Sequence, residues 1–171
     1  MPRYVALLRG VSPLNARMGA LARAFEAAGF RNVRTIIASG NVAFDARSTS
    51  EEALASRAEY FLEDVIGRGF LTIIRSQAHL QALVARDPWT AWDIPDGAKR
   101  IVTFLREPPT EPPTLSLAVE GARVLGAEDG EVFSVYLPTM KGPAFMTLVE
   151  RTFDRQVTTR SWDTVVKCAR A

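Results

Sequence analysis

Two short polar segments of the sequence carry side chains that could bind an anion. Arg9 and Gly10 end an apolar run near the start of the chain, and Ser39, Gly40 and Asn41 join two later apolar runs. A guanidinium group pairs with phosphate or carboxylate through charge-assisted hydrogen bonds, and glycine lets the backbone approach a ligand closely. The two segments together predict a site for a small phosphate- or carboxylate-bearing molecule. The alternative is that Arg9 pairs locally and that the second segment only shapes a hairpin turn.

A third polar segment lies near the end of the chain. Thr159, Arg160 and Ser161 directly precede a predicted helix that begins near Trp162. The first turn of a helix presents unpaired backbone N–H groups and the positive end of the helix dipole, and both favour anions. The segment therefore predicts either a further part of an anion site or an ordinary helix cap with Trp162 in the core.

The hydrophobic pattern of the first half explains why the first two segments would meet. It predicts the element order β-α-β-β-α-β, which is that of a ferredoxin-like unit. The predicted elements are residues 4–10, 18–28, 31–37 and 41–45, a helix that ends at Gly67 or Gly69, and residues 70–74. The first and third strands are antiparallel neighbours at the centre of such a sheet. The end of the first strand, with Arg9, therefore lies beside the start of the third strand, with Asn41.

Local signals place the remaining elements. Two overlapping capping boxes, Ser48 with Glu51 and Thr49 with Glu52, predict the start of the second helix. The second half is predicted to contain a helix capped by Ser76, a loop with Trp89 and Trp92, a strand at 99–105, an extended linker at 107–113, a hairpin at 123–137, a helix that starts near Pro143, and the last helix. We therefore predict an α+β fold with a ferredoxin-like subdomain at residues 1–75 and an antiparallel α+β subdomain at residues 76–171 packed on it.

The composition is that of a globular protein and argues against several kinds of site. Of 171 residues, 47% are hydrophobic and 23% charged, and the net charge is +2, so no dedicated nucleic-acid-binding surface is predicted. The single cysteine, Cys168, allows no intramolecular disulfide and favours a reducing, cytoplasmic setting. With His79 as the one histidine, neither a histidine-based triad nor a histidine-rich metal site is expected. The sequence predicts no metal, no cofactor and no membrane segment, and it leaves open whether the protein is an enzyme.

Three motifs, in order along the chain, resemble one bacterial family. They occupy residues 4–10 (YVALLRG), 39–44 (SGNVAF) and 158–165 (TTRSWDTV). In order and spacing they are similar to the proteins named domain of unknown function 1697. The resemblance implies a ferredoxin-like N-terminal half joined to a smaller α+β C-terminal half, and it supplies no established activity. The loops at residues 11–17 and 141–143 depart from the family pattern, so if these loops bind an anion in relatives, that binding need not occur here.

These observations lead to a prediction and an alternative. We predict a small-molecule protein that holds an anionic ligand between its two halves, with Arg9, Asn41 and Arg160 as orienting groups. The alternative is a module without catalysis that binds single-stranded nucleic acid or a protein partner. RNA-recognition domains of the same topology stack bases on aromatic side chains of the central strands, and Tyr4 and Phe44 hold such positions here. The oligomeric state is not predicted by the sequence.

Overall fold

The structure is a computed structural model of the protein, and it describes residues 1–37, 39–107, 118–119, 121–137, 149–150, 153 and 155–171. Cα packing divides the chain into two compact units. The first unit comprises Met1–Arg86 with Val166–Ala171, and the second comprises Asp87–Val165. The sequence places the division between residues 75 and 76, whereas the packing assigns the helix that follows this point to the first unit.

The first unit is built on an antiparallel sheet of four strands. Its elements are β1 (Arg3–Leu8), α1 (Met18–Ala27), β2 (Arg31–Thr35), β3 (Asn41–Asp45), α2 (Glu51–Ile66), β4 (Thr72–Ser76) and α3 (Gln77–Arg86). The strand order is β2-β3-β1-β4, so β1 and β3 form the central pair as predicted. The βαββαβ order with this pairing is the ferredoxin-like topology.

β1 is buried on both of its faces, as its continuous apolar run predicts. Tyr4, Ala6 and Leu8 belong to the core that also contains residues of α1 and α2. Val5 and Leu7 point to the opposite face and are also buried. β1 is paired along its length with β3 and β4, so the charged residue that follows Leu8 lies at a fixed place at the end of the sheet.

The two ends of α2 show how local chemistry sets the length of a helix. Ser50 caps its start, because the Ser50 Oγ accepts a hydrogen bond of 3.1 Å from the N–H of Ala53. The helix begins at Glu51, so Ser50 is its capping residue. The capping boxes predicted at Ser48 and Thr49 are therefore wrong. At the other end Gly67 has a φ of +83°, a left-handed conformation that glycine adopts without strain. The helix thus ends at the first of its two predicted glycines.

The second unit is built on an antiparallel sheet of five strands in the order β6-β7-β8-β5-β9. Its elements are a 3-10 turn (Pro88–Ala91), β5 (Lys99–Leu105), β6 (Ala118–Val119), β7 (Ala122–Glu128), β8 (Glu131–Tyr136) and β9 (Val157–Ser161). The last helix, α4 (Trp162–Ala169), follows β9 directly, and its final residues are assigned to the first unit. The sheet confirms the predicted antiparallel α+β second half.

The connections of the second unit test the remaining predictions. β7 and β8 form the predicted hairpin, and its two turn residues, Asp129 and Gly130, have φ values of +51° and +83°. Two consecutive left-handed residues are typical of the tight turn that matches the twist of paired strands. Residues 108–113 of the linker predicted at 107–113 and the start of the helix predicted near Pro143 lie outside the described residues, whereas Val149, Glu150 and Phe153, farther along that helix, are described and are helical.

Aromatic side chains form much of the described packing of the second unit. The ring of Trp89 is 3% exposed, and its centroid lies 5.6 Å from those of Phe133 and Trp162 and 6.3 Å from that of Trp92. Gly126 makes room for this cluster, because a Cβ there would lie only 2.6 Å from Cζ2 of Trp92. The two tryptophans of the loop therefore anchor it to the sheet.

Candidate functional site

The end of β1 and the start of β3 meet as the topology predicts. The backbone N–H of Leu8 donates to the carbonyl of Gly40 at 2.9 Å, and that of Arg9 donates to the carbonyl of Leu71 at 2.9 Å. Gly40 has a φ of +79°, and a Cβ there would lie 2.9 Å from the Cβ of Val11. Only glycine fits this contact without a shift of the backbone. The two predicted glycine-containing segments are thus joined in one corner of the first unit.

Asn41 has a structural role in this corner. Its side chain is 1% exposed, and its Nδ2 donates to the carbonyl of Ile36 at 3.1 Å and to the Oγ of Ser39 at 3.2 Å. Both N–H groups of the amide are therefore used within the β2–β3 connection. This is the hairpin-shaping role that the sequence offers as the alternative to ligand binding.

The loop after Gly10 is closed by its own hydrogen bonds. The Nδ2 of Asn15 donates to the carbonyl of Gly10 at 2.7 Å, and its Oδ1 accepts from the N–H of Ser12 at 2.9 Å. Gly10 is exposed with a φ of +77°, and no atom lies within 4 Å of the place where its Cβ would be. Ser39 is also exposed, and Arg9 is half-buried. The corner therefore contains a half-buried arginine, an exposed serine and an open glycine.

The third predicted segment lies in the second unit. Arg160 is 9% exposed, and its Nη1 donates to the Oγ1 of Thr158 at 2.6 Å and to the carbonyl of Thr159 at 2.7 Å. The Oγ of Ser161 accepts from the N–H of Thr164 at 3.3 Å, so it caps α4. The segment is a strand of the sheet and then a helix cap, which agrees with the ordinary-cap interpretation.

The central strands do not present an aromatic surface for bases. Tyr4 and Phe44 are partners in the β1–β3 register, and their rings stack with centroids 5.8 Å apart. Both are buried, at 5% and 0% exposed, in the core with Phe25 and Phe30. A base could reach these rings only if the core opened, so the stacking mode of RNA-recognition domains is not available to them.

The structure brings together a basic region that the sequence does not predict. Arg31, Arg47 and Arg57 line one cavity of the first unit. They are far apart in the sequence and share no spacing or flanking pattern, so no motif connects them. The high proportion of arginine among the basic residues is the single related signal, and it does not say which arginines meet.

The described ranges contain neither a metal-binding cluster nor a membrane-spanning helix. No group of three or more His, Cys, Asp or Glu side chains is placed there to hold a metal ion. His79 is half-buried in the first turn of α3, and Cys168 is buried as a free thiol. Among the helices in these ranges, none has both the length and the apolar character to cross a membrane.

Comparison with known proteins identifies relatives in sequence and in fold. A family model described as protein of unknown function (DUF1697) matches residues 1–133. Among solved structures, the conserved bacterial protein SP0830 from Streptococcus pneumoniae has a TM-score of 0.66 and 19% sequence identity, over 99% of this chain and 97% of that chain. At this identity the likeness shows the fold alone. None of the curated proteins matches the chain.

Proposed function

Because the chain belongs to the DUF1697 family, which is described as proteins of unknown function, we propose a function from the geometry of the structure. The protein binds a small molecule that bears a phosphate or carboxylate group, and the ligand sits at the corner formed by Arg9, Gly10 and Ser39. The observation that carries this proposal is the hydrogen bond of 2.9 Å from Leu8 to Gly40, which joins the two polar segments.

The side chains of the corner suit a single anionic group. The guanidinium of Arg9 supplies charge and paired donors from a half-buried position, where its attraction to an anion is screened less than in bulk water. The hydroxyl of Ser39 is exposed and can donate to a second oxygen of the ligand. Gly10 leaves open space beside them. Asn41 supports the turn and is not a ligand in this proposal.

The setting of this function is proposed to be the cytoplasm. The chain has one cysteine, and that cysteine is buried as a free thiol. Chains that form no intramolecular disulfide are usual in a reducing compartment. Small phosphate- and carboxylate-bearing molecules are abundant solutes there.

A thermal-shift experiment tests the proposal. At constant ionic strength, an anion at about ten times its Kd should raise the Tm by roughly 3–6 °C for a chain of this size. We expect Arg9→Ala to reduce the shift caused by at least one of phosphate and citrate while the variant still unfolds cooperatively. The matched control is Arg23→Ala on α1, an exposed arginine outside the corner, which should respond as wild type does. The proposal fails if neither anion shifts the wild-type Tm, or if Arg9→Ala responds as wild type does.

A further inference from the structure

A second basic site lies elsewhere in the first unit. A cavity of about 620 Å³ is bounded by the turn before β2, the connection from β3 to α2, and the first half of α2. Its volume falls within the range of pockets that bind small molecules, roughly 300–1,000 Å³. We call it the arginine cavity, after the side chains of Arg31, Arg47 and Arg57 that line it.

The charge in this cavity is unbalanced. The residues that line it include three arginines and no aspartate or glutamate. Among the described residues, none forms an ion pair with Arg31, Arg47 or Arg57. Arg31, Arg47 and Arg57 are exposed, so solvent and salt screen part of their mutual repulsion, and an anion that entered the cavity would offset the rest. The arrangement is therefore one that an anionic ligand would complete.

Two carboxylates next to these elements, those of Asp45 and Glu51, are already engaged. The Oδ1 of Asp45 accepts from Arg3 at 2.7 Å, and its Oδ2 accepts from Asn32 at 2.6 Å. On α2, the Oε1 of Glu51 accepts from the N–H of Ser76 at 2.9 Å, and its Oε2 lies 3.7 Å from Arg75. These two carboxylates are held by partners other than the three arginines of the cavity.

One of the three guanidinium groups is held in place before a ligand binds. The Cζ of Arg57 lies 5.7 Å from the centroid of the Phe30 ring, in a cation–π contact. Gly29 has a φ of +83°, and a Cβ at this position would lie 3.1 Å from Nη2 of Arg57. Glycine thus leaves the space that the guanidinium occupies. Thr49 adds a hydroxyl group to the lining.

We propose that the arginine cavity binds a small molecule through a phosphate or diphosphate group. Three guanidinium forks supply more donors and more charge than one carboxylate can use, whereas a phosphate or diphosphate offers several oxygens and a multiple negative charge. A cavity of this size encloses a small molecule better than it tracks a polymer backbone. This site shares no residue with the Arg9 corner, so it goes beyond the function proposed above.

Isothermal titration calorimetry with pyrophosphate as the probe tests this inference. We expect wild type to bind pyrophosphate, and Arg31→Ala and Arg47→Ala each to weaken binding about tenfold to a hundredfold, the usual effect of a lost charged hydrogen bond. Arg57→Lys keeps the charge but loses the planar fork, and it should weaken binding by about tenfold or more. Arg34→Ala is the matched control, because Arg34 is an exposed arginine of the same strand as Arg31 and does not line the cavity.

The variants separate this site from the other one. Arg9→Ala should bind pyrophosphate at the arginine cavity as wild type does, so failure of one proposal leaves the other standing. The inference is overturned if wild type shows no binding up to about 1 mM pyrophosphate, the weak end of measurable affinity. It is also overturned if Arg34→Ala loses as much affinity as Arg47→Ala, or if a single-stranded oligonucleotide binds more tightly than pyrophosphate and depends on the same arginines.

Discussion

Among single residues, Asp45 shows how a carboxylate connects the last residue of β3 to neighbouring strands through hydrogen bonds. Its carboxylate accepts hydrogen bonds from the side chains of Asn32 at 2.6 Å and Arg3 at 2.7 Å. The hydrogen bond from Asn32, followed by the hydrogen bond and charge of Arg3, holds the pKa of Asp45 below its usual 3.8. The folded protein therefore binds fewer protons at this group than the unfolded chain does. Its stabilising contribution is present above the unfolded pKa and is lost as the pH falls through the folded pKa.

A substitution at this residue makes the pH dependence measurable. We expect Asp45→Asn to lower the free energy of unfolding by about 1 kcal/mol at neutral pH, because a partly exposed carboxylate loses its charge-assisted bonds. The difference from wild type should shrink as the pH falls below about 4, since the wild-type carboxylate then takes up a proton. Urea unfolding over this pH range measures both effects.

Asp64 offers the control for this prediction. It is an exposed carboxylate on α2, and Asp64→Asn should alter stability by less than about 0.5 kcal/mol at any of these pH values. A gap between wild type and Asp45→Asn that stays constant from neutral to acid pH would contradict the role given to the carboxylate.

At the scale of elements, the start of α2 depends on one hydroxyl among three adjacent candidates. Ser50 accepts from Ala53 at 3.1 Å, and we expect Ser50→Ala to lower the free energy of unfolding by about 1 kcal/mol through loss of the cap. The predicted effect of Ser48→Ala is less than about 0.5 kcal/mol, because Ser48 is exposed and lies before the cap. Thermal and urea unfolding of the two variants show which of the two serines caps the helix. Equal losses, or a larger loss for Ser48→Ala, would show that the helix starts at the capping box predicted from the sequence.

The strands, the turn after β7 and the start of α2 show which parts of the fold can be predicted from sequence. β3 and β5 have their predicted bounds, because short apolar runs and flanking turn residues are local signals. The turn at Asp129 and Gly130 is likewise local. By contrast, Ser48 and Ser50 have the same chemistry, and the choice between them depends on where the helix packs. β9 is not predicted, since its existence depends on pairing with β5, in which Thr103 is the partner of Thr159.

At the scale of the whole molecule, the same distinction applies to the candidate sites. The contact between the Arg9 and Gly40 segments could be predicted because the strand order follows from the βαββαβ pattern. The burial of Arg160 could not, because it depends on a strand pairing that places Arg160 beside Val102. The arginine cavity is harder still, since its three side chains come from separate elements and share no spacing. Topology can be predicted from periodicity, whereas a site assembled from separate elements needs the packed structure.

The packing of α4 makes the first unit discontinuous, and this leads to a prediction for the whole chain. In that unit the Nε2 of Gln81 on α3 donates to the carbonyl of Ala169 at 3.2 Å, and the Nε of Arg3 donates to that of Ala171 at 2.9 Å. Gln81→Ala should lower the free energy of unfolding by about 1 kcal/mol and speed amide hydrogen exchange in residues 166–170 more than in α2. Exchange read by mass spectrometry distinguishes the two regions. Gln156→Ala, an exposed glutamine of the second unit, is the control and should change neither. If Gln81→Ala speeds exchange equally in α2 and α4, the helix end is not held locally by α3, and the first unit opens as one cooperative body.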